Sequence, residues 1–115
     1  MPPASSGGTT VGMILNIMEG SPPLPPVGSA ELMHLESEAM ARAFMDRNAY
    51  MGDPGFVHNP VEQMLSKEYA AERRATIDPR RATPPEDLRP ADPTCTAWCR
   101  ETPTPSSPAS GPSRR

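Results

Sequence analysis

Proline placement limits what this chain can fold into more than any other feature. The ring fixes φ, removes an amide donor and pushes the preceding residue out of the helical region. The chain has 17 prolines in 115 residues, about three times the usual share. Pro2 and Pro3 open it, Pro22, Pro23, Pro25 and Pro26 form one cluster, and the stretch from Pro79 to Pro112 holds nine. The foldable part is therefore the middle, and it is shorter than the length suggests. Aromatic residues make up only 4% and there are eight methionines. The core is thus thin, and much of it is a flexible side chain that fills gaps but specifies shape poorly. Such a segment is expected to be marginally stable on its own.

Within the middle, apolar spacing and capping residues predict a mainly α fold, a three-helix unit followed by a disordered proline-rich tail. The small-residue turn Ser5-Ser6-Gly7-Gly8 leads into a first helix. Thr9 or Thr10 is its expected N-cap, and Val11, Ile14, Leu15 and Met18 fall on one face at helical spacing. Glu19-Gly20 ends it. The run from Pro22 to Pro26 favours polyproline II; a stiff connector is expected over a ligand for an SH3 or WW domain. Ser29 then caps a long second helix from Ala30 to about Tyr50. Leu32, Leu35, Ala39, Ala43 and Asp46 trace one stripe along it, and Met33, Met40 and Phe44 a neighbouring one.

Gly52-Asp53-Pro54-Gly55 turns the chain, and Phe56-Val57 is expected to tuck back as an apolar anchor. A brief helical turn follows over Pro60 to Leu65, with Pro60 in the first helical position. Ser66 caps a third helix through Tyr69, Ala70 and Arg73 to about Ile77, where Asp78-Pro79 halts it. From Arg80 onward apolar periodicity is lost and the composition is that of a disordered tail. No repeat and no strand is predicted.

Few residues invite a chemical role. The net charge of −3 and pI near 5.3 give no electrostatic case for nucleic acid. The apolar stretch Val11 to Met18 is too short to cross a bilayer, and no charged region, apolar stretch and cleavage site marks an export signal. Cys95 and Cys99 lack a nearby histidine to complete a zinc set, so a chance pair is expected. His34 and His58 have no partner at metal or catalytic spacing and are expected on the solvated surface. Ser5 to Gly8 could cradle an anion at a helix start, but lacks the lysine and spacing of a phosphate loop. An amino-terminal threonine nucleophile needs its own free amine as base and donors for the oxyanion. Thr9 follows Gly8 and precedes Thr10-Val11, so capping is the expected role.

Five blocks, in this order, carry a resemblance. They are Pro2-Pro3-Ala4-Ser5-Ser6-Gly7-Gly8, the helix end Ile14 to Glu19, the second helix with Glu38-Ala39, Ala43 and Asp46-Arg47, the corner Tyr50 to Pro54, and Pro60-Val61 with Leu65 to Tyr69. Together they resemble the end of the large subunit of gamma-glutamyltranspeptidase, also called glutathione hydrolase, over about residues 1–93. In the residues' own terms the glycines allow a tight turn, and Asp46 with Arg47 offers a charged pair or a helix-end cap.

The resemblance implies a helical segment from a longer αββα amino-terminal nucleophile hydrolase. That family transfers the gamma-glutamyl group of glutathione to water or an amino-acid acceptor. Its nucleophile is the first threonine of a Thr-Thr-His run after a proline-rich linker. This chain reaches such a linker at Thr83 to Pro93 and no Thr-Thr-His follows. No catalytic, substrate-binding, cofactor or metal residue therefore carries over, and the chain alone is expected to be inactive. The implied partner is the missing remainder of the enzyme, including the small subunit; the family is often exported. Residues 94–115 have no counterpart in this reading and look like a strand read out of frame. The competing expectation is a non-enzymatic helical scaffold or interaction protein, with one half of a split enzyme as a special case.

Overall fold

The structure is a computed structural model that describes residues 7–91 and 93. Residues 1–6 and 94–115 lie outside the described residues, and with them the tail, Ser5-Ser6 and both cysteines. Four helices follow in order: α1 (Gly7–Glu19), α2 (Ala30–Tyr50), α3 (Val61–Met64) and α4 (Lys67–Ala75). No strand occurs among the described residues, so the fold is mainly α as expected, with α3 the brief turn before the third long helix.

Ser29 accepts the Leu32 amide at 3.1 Å and Ser66 accepts the Tyr69 amide at 3.1 Å. Each hydroxyl satisfies one of the amides that a helix start leaves unpaired. Gly28, at φ +83°, turns the chain into the first of these caps, a conformation that a side chain opposes. Pro60 stands at the N-cap of α3, one residue before its expected place.

The start of α1 differs from expectation. It begins at Gly7, so Thr9 and Thr10 lie inside the helix and are buried instead of capping it. Its inner face differs too. Met13 and Ile17 are each 1% exposed, while Val11 and Leu15 point outward at 55% and 60%. Both stripes have helical spacing, so periodicity alone does not choose between them.

Alanines decide the choice. Ala39 and Ala43 on α2 are fully buried, and their small side chains let α1 approach closely. Met13 packs with Ala43, Met64 and Tyr69, and Ile17 packs with Ala39 and Ala70. Ile14 touches both groups and joins them into one core. On α2, Ala39, Ala43 and Asp46 of the expected stripe are buried, whereas Met33, Met40 and Phe44 are exposed. Phe56 is 90% exposed, so the expected apolar anchor does not form.

The stretch after Thr76 also departs from expectation. It has no regular structure, yet it lies as a strap across α2 and α4 and contacts them as far as Ala91. Apolar spacing missed it because polar groups hold it.

Candidate functional site

The densest polar chemistry lies under this strap. On α2, Glu38, Arg42 and Asp46 recur every four residues and share the inward face with Ala39 and Ala43. All three are nearly solvent-free, with Arg42 at 2% and Asp46 at 0% exposure. Buried charges persist only when paired and hydrogen-bonded, and each of these has partners.

The Arg42 guanidinium carries five N–H groups, and five oxygens receive them. Nε donates to Thr76 Oγ1 at 2.6 Å, and Nη2 to Thr76 O at 2.7 Å and Thr83 Oγ1 at 3.2 Å. Nη1 donates to Glu38 Oε2 at 2.5 Å and Glu38 O at 3.2 Å. Glu38 in turn accepts the Thr83 amide at 2.9 Å and hydroxyl at 2.6 Å. Burial by itself would raise the Glu38 pKa; the Thr83 hydroxyl and amide and the Arg42 charge outweigh it and hold the carboxyl below its ordinary value.

One turn further along, Asp46 Oδ2 forms an ion pair with Arg73 Nε of α4 at 2.9 Å, off hydrogen-bond geometry. Asp46 Oδ1 accepts the Ala91 amide at 3.0 Å. Tyr69 Oη donates to Ala91 O at 2.9 Å, and Arg73 Nη1 to Arg89 O at 3.1 Å. Here burial wins and pushes the Asp46 carboxyl up, although Arg73 and the Ala91 amide pull the other way. Burial, reinforced by the Asp46 charge, raises the Tyr69 phenol well above its usual range. Asp46 faces α4 and pairs there with Arg73, while Arg47 donates to Asn48 Oδ1 at 3.0 Å.

A cavity of about 430 Å³ opens between α4 and the strap, lined by Arg42, Glu72, Arg73, Thr83, Arg89 and Ala91 among others. Arg73 Nη2 is buried without a hydrogen-bond partner. Otherwise the charges of this region are used on one another and on the strap backbone, an arrangement that holds chain in place.

The sequence candidates lie elsewhere and apart. Thr9 and Thr10 sit within α1, and neither is a chain terminus. His58 is exposed in a loop. His34 is not simply solvated: its Nε2–H donates to Asp78 O at 2.8 Å, tying α2 to the turn after α4. No group of three metal-ligating side chains occurs among the described residues, and no described helix is long and apolar enough to cross a membrane. Glu38, Arg42, Tyr69, Arg73 and Thr83 were not singled out by sequence as a group. The available signal was a charge every four residues on a helix face that otherwise carries buried alanines.

Known proteins share this arrangement of helices. The family model for gamma-glutamyltranspeptidase matches residues 1–107, a span that runs past the boundary placed at residue 93 by sequence. The glutathione hydrolase proenzyme of Pseudomonas sp. (strain A14) is 46% identical over 94 residues, covering 80% of this chain and 16% of its own length. The Acylase ACY 1 proenzyme of Pseudomonas sp. (strain SE83) is 43% identical over 82 residues, covering 70% of this chain and 15% of its own. The crystal structure of Helicobacter pylori gamma-glutamyltranspeptidase superposes with a TM-score of 0.72 at 36% identity, over 93% of this chain and 29% of that one. The chain thus spans about a sixth of the length of the curated relatives it matches. With the family model over nearly all of its residues and the same helices in a solved relative, the chain belongs to the gamma-glutamyltranspeptidase family.

Proposed function

We propose that this chain is a scaffold segment of a glutathione hydrolase, which contributes helical structure and no reacting group. The enzyme it would serve attacks the gamma-glutamyl carbonyl of glutathione with a threonine, then passes the acyl group to water or an amino acid. One observation carries the reading: the buried polar groups hold the chain's own strap, while Val11, Leu15, Met33 and Phe44 point outward. Apolar exposure on this scale fits a unit made to be covered. The partner proposed is the polypeptide holding the rest of the fold, including the small subunit. An acyl-enzyme requires the nucleophile, and Thr9 and Thr10 are buried within a helix.

The likeness to an acylase supports a second point, that the helical segment does not set which acyl group is taken. Substrate choice then lies in the remainder.

The test is hydrolysis of gamma-glutamyl-p-nitroanilide by the purified chain, alone and mixed with a polypeptide carrying the rest of a family member. No release by the chain alone and release by the mixture is the expected result. Release by the chain alone would overturn the scaffold role. A mixture that neither binds nor turns over would favour a non-enzymatic interaction protein.

A further inference from the structure

The strap is held at three points by side chains buried beneath it. Thr83 is held through its amide and hydroxyl by Glu38 and Arg42. Arg89 is held through its carbonyl by Arg73. Ala91 is held on both sides of its backbone, its amide by Asp46 from α2 and its carbonyl by Tyr69 from α4. The last two points use main-chain groups only. They ignore which side chains the strap carries there and respond only to its register.

A slip of one residue along extended chain moves each amide and carbonyl by about 3.3 Å and turns it to the opposite side. Asp46 would then lose its amide donor and Tyr69 its carbonyl acceptor while both stay buried, a loss that burial makes costly. Stability alone does not explain the choice of residues. A buried ion pair such as Asp46–Arg73 often does no better than apolar side chains of the same size. What it supplies is a specified geometry, here at Ala91.

We propose that Asp46, Tyr69 and Arg73 form a main-chain clamp that fixes the position and direction of the chain as it passes Ala91. Resting on the scaffold reading above, they are positioning residues for maturation of the proenzyme, acting through Ala91. In that step one peptide bond downstream is hydrolysed, water giving its hydroxyl to the new carboxyl and a hydrogen to the new amine. The clamp does not touch the bond; it sets where the bond lies.

The first test uses the 115-residue chain and amide hydrogen exchange. The Ala91 amide is expected to be protected, and Tyr69→Phe, which removes one oxygen and keeps the ring in the core, is expected to speed its exchange about tenfold. The Ala43 amide in the middle of α2 should change far less. An Ala91 amide that exchanges like unfolded peptide, or that is indifferent to Tyr69→Phe, would overturn the clamp.

The second test places residues 7–91 in the Pseudomonas sp. (strain A14) proenzyme in exchange for its matching stretch. Tyr69→Phe is expected to slow subunit cleavage about tenfold while kcat and KM of the matured enzyme on gamma-glutamyl-p-nitroanilide stay unchanged. Asp46→Leu should slow cleavage, and Asp46→Asn, which keeps an acceptor for the Ala91 amide, should restore much of it. Equal cleavage rates in all forms would refute the positioning role. An exchange enzyme that never cleaves even without these substitutions would count against the scaffold reading, while exchange at Ala91 still decides the clamp.

Discussion

Asp46 shows how little a residue's type says about its work. It ends a helical stripe that sequence reads as apolar, and it is fully buried. Removing it by Asp46→Ala leaves Arg73 charged and unpaired, which is expected to cost about 3–5 kcal/mol in urea unfolding. That is enough to unfold a marginal segment. Glu38 sets the acid limit. Its pKa is lowered on folding, so its stabilising contribution is present above the unfolded value of 4.5 and is lost as pH falls below it. Asp46 acts in the opposite sense. Its folded pKa is raised above 3.8, so folding binds its proton more tightly and stability falls as pH rises through that range. Stability measured against pH is expected to drop below about pH 4.5, and Glu38→Gln should flatten that drop.

At the scale of elements, capping was legible and facing was not. Ser29 and Ser66 act only on amides three residues away, so local sequence names them. Ser66→Ala is expected to cost about 1 kcal/mol in thermal or urea unfolding, and to loosen α4, from which Tyr69 and Arg73 reach the strap. The end of α1 depends on a neighbour instead. A side chain at Gly20 would overlap the Arg74 guanidinium, which donates from Nη1 to Ile17 O at 3.2 Å across the α1–α4 contact. Gly20→Ala is expected to expel Arg74 from that site, visible as loss of α1–α4 cross-peaks in nuclear Overhauser spectra.

For the whole molecule, the outward apolar side chains set behaviour in solution. Val27 and Phe56 are almost fully exposed, and Leu15, Met33 and Phe44 are about half exposed or more. The isolated chain is expected to self-associate at micromolar concentration by sedimentation velocity. Leu15→Glu with Phe44→Glu should return it to a monomer with little change in unfolding midpoint, since neither side chain belongs to the core. The same pair should also weaken binding to the complementary polypeptide if that face is the one it covers.

Sequence by itself determined which segments become helices, where two of them start and to which family the chain belongs. Those properties rest on local rules: proline excludes helix, serine caps it, and ordered blocks of residues identify relatives. Only the tertiary structure decided that Met13 and Ile17 turn inward while Val11 and Leu15 turn outward, because the first pair packs against the buried Ala39 and Ala43 of α2 and against α4. It alone showed Glu38, Arg42, Asp46, Tyr69 and Arg73 closing on an irregular strap. Those contacts join residues far apart in the chain through backbone groups that every amino acid shares, and backbone groups leave no pattern in a sequence.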